Sequence, residues 1–392
     1  MHEHDAVVAA VHHSVVAGAA AALVALAVAL FLLWRKRRMA AARSPADGGA
    51  ASASGSSAST APLLVIPLAD VERATDGFHP SRVIGQGRHF AVYAAAPGIA
   101  AKRMHPHLVL GDPGGRRFPA AVRSLAVPPH PNVAAVTGLS EGPGERVILV
   151  ERAPAGAVSL DRVLGWDDAA HAHHVPALSW RQRAAVAAGA ARGLAHLHAH
   201  GVAHGRVRPC NVLVHASSGG GARWRHANAT TRLTDYGLAG FLDRRDDDAR
   251  AEDDMYMFGA VLLELLTGRR WDGGRLADWA LPHIRCGATL EVLDVVRAGA
   301  PADKAEARLL ARAARVALAC VGNDGRSRPG MAEVSAILSD VEAAYRRRDG
   351  ALVAKEEERD DDGDESRLSG CLLGPSRSIH KADMLLRAPP VM

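Results

Sequence analysis

Residues 254–268, DMYMFGAVLLELLTG, constrain this chain more than any other stretch. Apolar side chains cover nearly every face of a helix drawn through them, so it reads as a helix buried in a core, not one lying on a surface. Gly268 suits the left-handed cap that ends such a helix. A domain built around it must be largely helical on this side.

A second helix announces itself at Ser179-Trp180-Arg181-Gln182, a capping box with serine as N-cap and glutamine at N3. It predicts a helix through about His198, with Val186, Gly189, Ala190, Leu194 and Leu197 on one face. Earlier in the chain the period changes. Residues 83–93, VIGQGRHFAVY, alternate apolar side chains around Gly85 and Gly87. That pattern predicts a hairpin over a ligand, because glycine lets backbone N–H groups approach phosphates. Residues 98–104 give a short strand with Lys102 near its end, and residues 147–153 a buried strand. A short amphipathic helix is expected over 68–78.

The N-terminal end has its own logic. Residues 15–34 are an unbroken apolar run of 20. As a helix it would span roughly 30 Å, the thickness of a bilayer core. Arg35, Lys36, Arg37 and Arg38 follow at once, whereas Glu3 and Asp5 lie on the other flank. The positive-inside rule predicts a single-pass anchor with the N-terminus outside and the remainder cytoplasmic, and the plasma membrane is the membrane expected. A cleaved signal peptide is disfavoured, since the basic cluster sits on the wrong side of the run. The 14 residues before it cannot build a core, so no ligand-binding ectodomain is expected.

The net charge of +5 is modest for 392 residues, and its surplus sits at Arg35–Arg38. It speaks for a membrane surface and against nucleic acid as a partner. Cys210, Cys286, Cys320 and Cys371 lack zinc spacing and read as reduced thiols. Residues 35–67 read as a basic juxtamembrane segment and linker, and residues 346–392 as a charged, disordered tail.

Residues 203–214, AHGRVRPCNVLV, resemble the catalytic loop of protein kinases, H-R-D-x-x-x-x-N. His204 and Asn211 match. Gly205 replaces the arginine, and Arg206 the catalytic aspartate. The order of the other segments resembles the plant receptor-like kinase family over residues 68–345. Gly85, Gly87 and Val92 fall on the glycine-rich loop, where Phe90 replaces the third glycine and is expected to turn into the phosphate space. Lys102 resembles the lysine that holds nucleotide phosphates. Its expected helix partner, a glutamate, is replaced by Ala121. Glu151 and Ala153 fall on the hinge. Residues 235–237, Asp-Tyr-Gly, resemble D-F-G. Run 254–268 resembles the buried helix F. Only residues 238–253 lie between these two, and no A-P-E motif fits there. Arg328 would normally pair with its glutamate and is expected to borrow a carboxylate from Asp246, Asp247 or Asp248.

The resemblance implies an α+β, two-lobed protein-kinase-like fold, preceded here by a single transmembrane helix. It implies ATP bound by Gly85, Gly87, Val92, Lys102, Glu151 and Ala153, with magnesium on Asn211 and Asp235. The kinase aspartate accepts the proton of the substrate hydroxyl. A guanidinium has no acceptor and does not deprotonate, so Arg206 cannot be that base. It is expected to pair with Asp235 or with a phosphate. The function expected is a membrane-anchored pseudokinase, acting as scaffold or allosteric partner of other receptor-like kinases or signalling proteins. The alternative is a working serine/threonine kinase that uses the retained Lys102, Asn211 and Asp235.

Overall fold

The structure, a computed structural model, describes residues 63–109, 117–166, 177–216, 229–238 and 250–348. The alternating stretches of the first half pair into one sheet. Its strands are β1 (Leu64–Val65), β2 (Val83–Gln86), β3 (Phe90–Ala96), β4 (Ile99–Met104), β5 (Val136–Gly142) and β6 (Glu145–Glu151). They run in the order β1-β5-β6-β4-β3-β2, with β1 parallel to β5 and the other pairs antiparallel. Successive side chains of a strand point to opposite faces. Tyr93, Ala101, Val147 and Leu149 therefore share one face and pack with Val71 and Phe78. Val71 comes from α1 (Leu68–Ala74), a shorter helix than the 68–78 expected. It stops because Asp76, Gly77 and Phe78 all take positive φ.

The opposite face carries Val92 directly across from Lys102, and Lys102 across from Ile148. It joins the main core, which continues into a helical lobe. The helices are α2 (Pro106–Val109), α3 (Arg117–Ser124), α4 (Leu160–Val163), α5 (Trp180–Ala199), α6 (Ala251–Thr267), α7 (Arg275–Arg285), α8 (Val295–Ala298), α9 (Lys304–Gly322) and α10 over 331–348. A small antiparallel sheet is formed by β7 (Val158–Ser159), β8 (Val212–Ala216) and β9 (Ala229–Leu233), the last two lying between α5 and α6 in sequence.

The capping box forms as the sequence predicts. The Ser179 hydroxyl accepts from the Gln182 N–H at 3.4 Å, and the Ser179 N–H donates to Gln182 Oε1 at 3.0 Å. Helix α6 is the buried rod. Gly259 lets α9 come close, since a Cβ there would lie 2.6 Å from that of Cys320. Gly268 ends the helix at φ 66°, and its N–H donates to the Glu264 carbonyl. Arg328 donates to the Glu252 carbonyl at 2.9 Å and stacks over Tyr256, 4.9 Å from the ring centre. Arg328 is thus held on a backbone oxygen of α6; its expected partners Asp246–Asp248 lie outside the described residues.

The membrane placement is corrected. Among the described residues no helix is long and apolar enough to cross a membrane. The apolar helix α6 is enclosed by protein and carries Glu252, Asp253, Asp254 and Glu264. The run at 15–34, the linker and the tail beyond 348 lie outside the described residues.

Candidate functional site

The loop between α5 and β8 is fixed from below by the core helix. The Asp254 carboxylate, 1% exposed, accepts from the N–H groups of His204 at 2.6 Å and Gly205 at 2.7 Å, and from His198 Nε2 at 2.9 Å. Gly205 has φ 71°, a conformation natural to glycine. Asn211 Nδ2 closes the loop on the Arg206 carbonyl at 2.8 Å. His204 is fully buried, and burial holds its pKa below the ordinary value. Its Nδ1 accepts from the Arg206 N–H at 3.3 Å, while Nε2 has no partner among the described residues. The buried ring spaces the loop between Asp254 and Arg206.

Arg206 crosses the cleft. Its Nη1 lies 3.0 Å from Nδ1 of His89, in the turn between β2 and β3. Arginine can only donate, so in this contact Nδ1 is the acceptor. The expected pairing of Arg206 with Asp235 is not what forms. Phe90 is also corrected: it is 5% exposed, paired with Met104 across the strands, and part of the core with Val109 and Phe118. An aromatic ring gains more from that burial than from standing in a polar phosphate space. The glycine turn is closed upon itself. Gly85 faces Val92, the Gly87 N–H donates to the Phe90 carbonyl at 2.9 Å, and His105 Nε2 sits 2.9 Å from the Gly87 carbonyl.

Lys102, 5% exposed, contacts the Asp235 carboxylate directly and donates to Thr234 Oγ1 at 2.8 Å. Ala121 lies in α3 and offers only a methyl group, so no carboxylate competes for the ammonium from that position. Asp235 sits at φ 63°. Burial pushes its pKa up, but the Lys102 charge and the hydrogen bonds from Lys102 and Thr234 outweigh this and hold it below the usual carboxylate range. The next residue, Tyr236, is 2% exposed. Its hydroxyl accepts from the Val136 N–H at 3.1 Å and donates to the Leu125 carbonyl at 3.3 Å. Burial raises this phenol to about 12.

At the hinge, Val150 is buried. The Glu151 N–H donates to the Ala135 carbonyl at 2.8 Å, and its carboxylate accepts from Arg232 at 3.2 Å. Ala153 follows, half-buried. The cleft therefore brings Lys102, Thr234 and Asp235 together and Arg206 with His89, while Glu151 turns to β9. Sequence reading missed His89, for which there was no signal, and the anchoring role of Asp254, signalled by a carboxylate opening an otherwise apolar helix.

This donor set suits magnesium poorly. Asp235 is already neutralised by Lys102, and Asn211 adds a single amide oxygen where magnesium prefers carboxylates and phosphates. Among the described residues no group of three or more His, Cys, Asp or Glu could hold a metal.

A sheet lobe over a helical lobe, with lysine, asparagine and aspartate facing the gap, defines a protein-kinase-like domain. Residues 112–253 match the family described as protein tyrosine and serine/threonine kinase. The chain is 30% identical over 310 residues to Salt tolerance receptor-like cytoplasmic kinase 1 of Oryza sativa subsp. japonica, covering 70% of this chain and 80% of that relative. It is 28% identical over 317 residues to Leucine-rich repeat receptor protein kinase EMS1 of Arabidopsis thaliana, covering 71% and 24%. A further Arabidopsis thaliana relative, 28% identical over 310 residues and covering 72% and 36%, is named "Probably inactive leucine-rich repeat receptor-like protein kinase At5g58150". The chain belongs to the receptor-like protein kinase family. It spans 24% and 21% of the length of the first two curated relatives it matches.

Proposed function

We propose that this chain is a pseudokinase: a signalling scaffold or allosteric partner whose kinase-like domain, taken as residues 68–345, transfers phosphate inefficiently or not at all. The observation that carries the reading is Arg206. It stands where a proton acceptor is needed, and its guanidinium is bound to His89 across the cleft. Loss of a general base lowers a rate by ~10²–10⁴. A kinase turning over at ~1–100 per second would fall to between ~10⁻⁴ and ~1 per second on that ground alone. The missing carboxylate at Ala121 adds a further penalty, not additive with the first. Partners of matching logic are other receptor-like kinases or signalling proteins, which such a domain would bind without modifying.

Nucleotide binding, in this reading, is weak and independent of metal, with Arg206 and Lys102 supplying the positive charge. Two measurements on the full chain test the proposal. With radiolabelled ATP, turnover should not exceed ~1 per second, and a faster rate that Lys102→Ala abolishes would overturn the reading. A thermal shift with ATP should be as large in EDTA as in magnesium. A shift seen with magnesium alone would reject the metal-free mode.

A further inference from the structure

The turn between β2 and β3 uses its polar backbone on itself and on the residue after β4. The Gly87 N–H donates to the Phe90 carbonyl at 2.9 Å, and the His89 carbonyl accepts from the His105 N–H at 3.0 Å. His105 Nε2 lies 2.9 Å from the Gly87 carbonyl, a second tie between the same two segments. Phe90, the next residue after His89, is buried in the core. The backbone is therefore pinned on both flanks of His89. Releasing Arg206 takes rotation of one imidazole, not lifting of the whole turn.

The two cations facing this turn are committed differently. Lys102 is held by the Asp235 carboxylate and by Thr234 Oγ1. Arg206 is held at 3.0 Å by a single ring nitrogen of His89, itself half-buried. Arginine forks onto a phosphate with two parallel N–H bonds, which one imidazole nitrogen cannot accept. A phosphate is thus the better partner for that guanidinium, and His89 is already on it.

We propose that His89 is a competitive gate on the cleft: its imidazole occupies the guanidinium that a nucleotide's phosphates would take, and phosphate binds only after the ring has turned away. The proposal rests on the reading of Arg206 as a phosphate-binding cation and adds the regulation of that site. A ligand meets a competent cleft only in the fraction of molecules whose contact is open, and its apparent affinity falls by that fraction. A hydrogen bond from a charged donor holds such a contact closed about ten to one, so the reduction is about tenfold. Ligands that carry phosphate feel it. Adenosine, which has nothing to place on Arg206, does not.

Equilibrium dialysis of radiolabelled ATP and of adenosine against the full chain, each in EDTA and in magnesium, tests the gate. His89→Ala should tighten ATP about tenfold and leave adenosine unchanged. Arg206→Ala should weaken ATP, and adding His89→Ala to it should change nothing more, because the gate acts only through Arg206. His89→Asn, which keeps an acceptor oxygen close to the place of Nδ1, should stay near wild type. Equal or weaker ATP binding by His89→Ala overturns the gate, as does an absence of ATP binding in both proteins. A parallel gain for adenosine also overturns it, since the substitution would then loosen the whole cleft. ATP binding by His89→Asn as tight as by His89→Ala counts against it in the same way. The pseudokinase reading fails separately: rapid phosphotransfer would overturn that reading and leave the ratio of ATP affinities between wild type and His89→Ala as it was. A need for magnesium would shift both proteins alike.

Discussion

Nη1 of Arg206 and Nδ1 of His89 lie 3.0 Å apart, 117 residues apart in sequence. The contact joins the loop that should carry a base to the turn that should cover phosphates. A net hydrogen bond from a charged donor is worth about 1.5 kcal/mol, or about tenfold in a local opening equilibrium. Arg206→Ala should therefore speed amide hydrogen exchange at residues 87–90 by about tenfold, leaving α6 unchanged. Equal protection in the two proteins would mean that the turn is held without Arg206.

The direct contact of Lys102 with Asp235 has a different signature. Removing one partner of a buried pair costs about 3–5 kcal/mol, and the Asp235 side chain keeps 33% of its exposure, which places Lys102→Met near the low end, about 3 kcal/mol. The pH dependence follows from the lowered Asp235 pKa. A carboxylate whose folded pKa lies below its ordinary 3.8 contributes stability above that value, and the contribution is lost as pH falls through it. Urea denaturation should show wild type losing its advantage over Lys102→Met in acid. A constant difference down to low pH would show that the pair does not carry it.

Tyr236 replaces the phenylalanine that the resemblance leads one to expect, and the substitution is not neutral in this setting. Its hydroxyl satisfies the Val136 N–H and the Leu125 carbonyl from inside the core. Tyr236→Phe restores the kinase-like residue, yet leaves both backbone groups without that partner. The cost should be about 1–3 kcal/mol by equilibrium denaturation. A neutral or stabilising result would show that the two groups find other partners.

What was legible from sequence was local or ordered. The capping box at Ser179, the all-round apolar α6 and its Gly268 cap are patterns of neighbours in the chain, and each formed as read. Lys102, Asn211 and Asp235 were placed by their order relative to glycines and helices. The contacts that set the cleft's state were not legible. Lys102 meets Asp235 across 133 residues, and Arg206 reaches His89 across 117. Such choices depend on which long side chain can extend to which partner, and that is decided by packing between lobes. Phe90 was misjudged for the same reason: its strand register turned it toward Met104 and the core. The membrane expectation rested on residues 15–34 and the charges flanking them, and no helix among the described residues is long and apolar enough to cross a membrane.

Glu264, in the last turn of the rod α6, gives the chain a pH dependence of opposite sign to that of Asp235. Burial raises its pKa to about 7 from 4.5, against the pull of the Trp271 N–H, which donates to its Oε1 at 2.6 Å, and of Arg270. The folded state therefore keeps a proton that the unfolded state has released between those values. Stability from this group is complete below about 4.5 and falls as pH rises through about 7. Glu264→Gln keeps an oxygen to accept from Trp271 and removes the titration. Between pH 5 and 7.5, wild type should lose stability relative to Glu264→Gln in urea melts. Parallel curves would show that the carboxylate is ionised in the folded state, and that Arg270 or water reaches it.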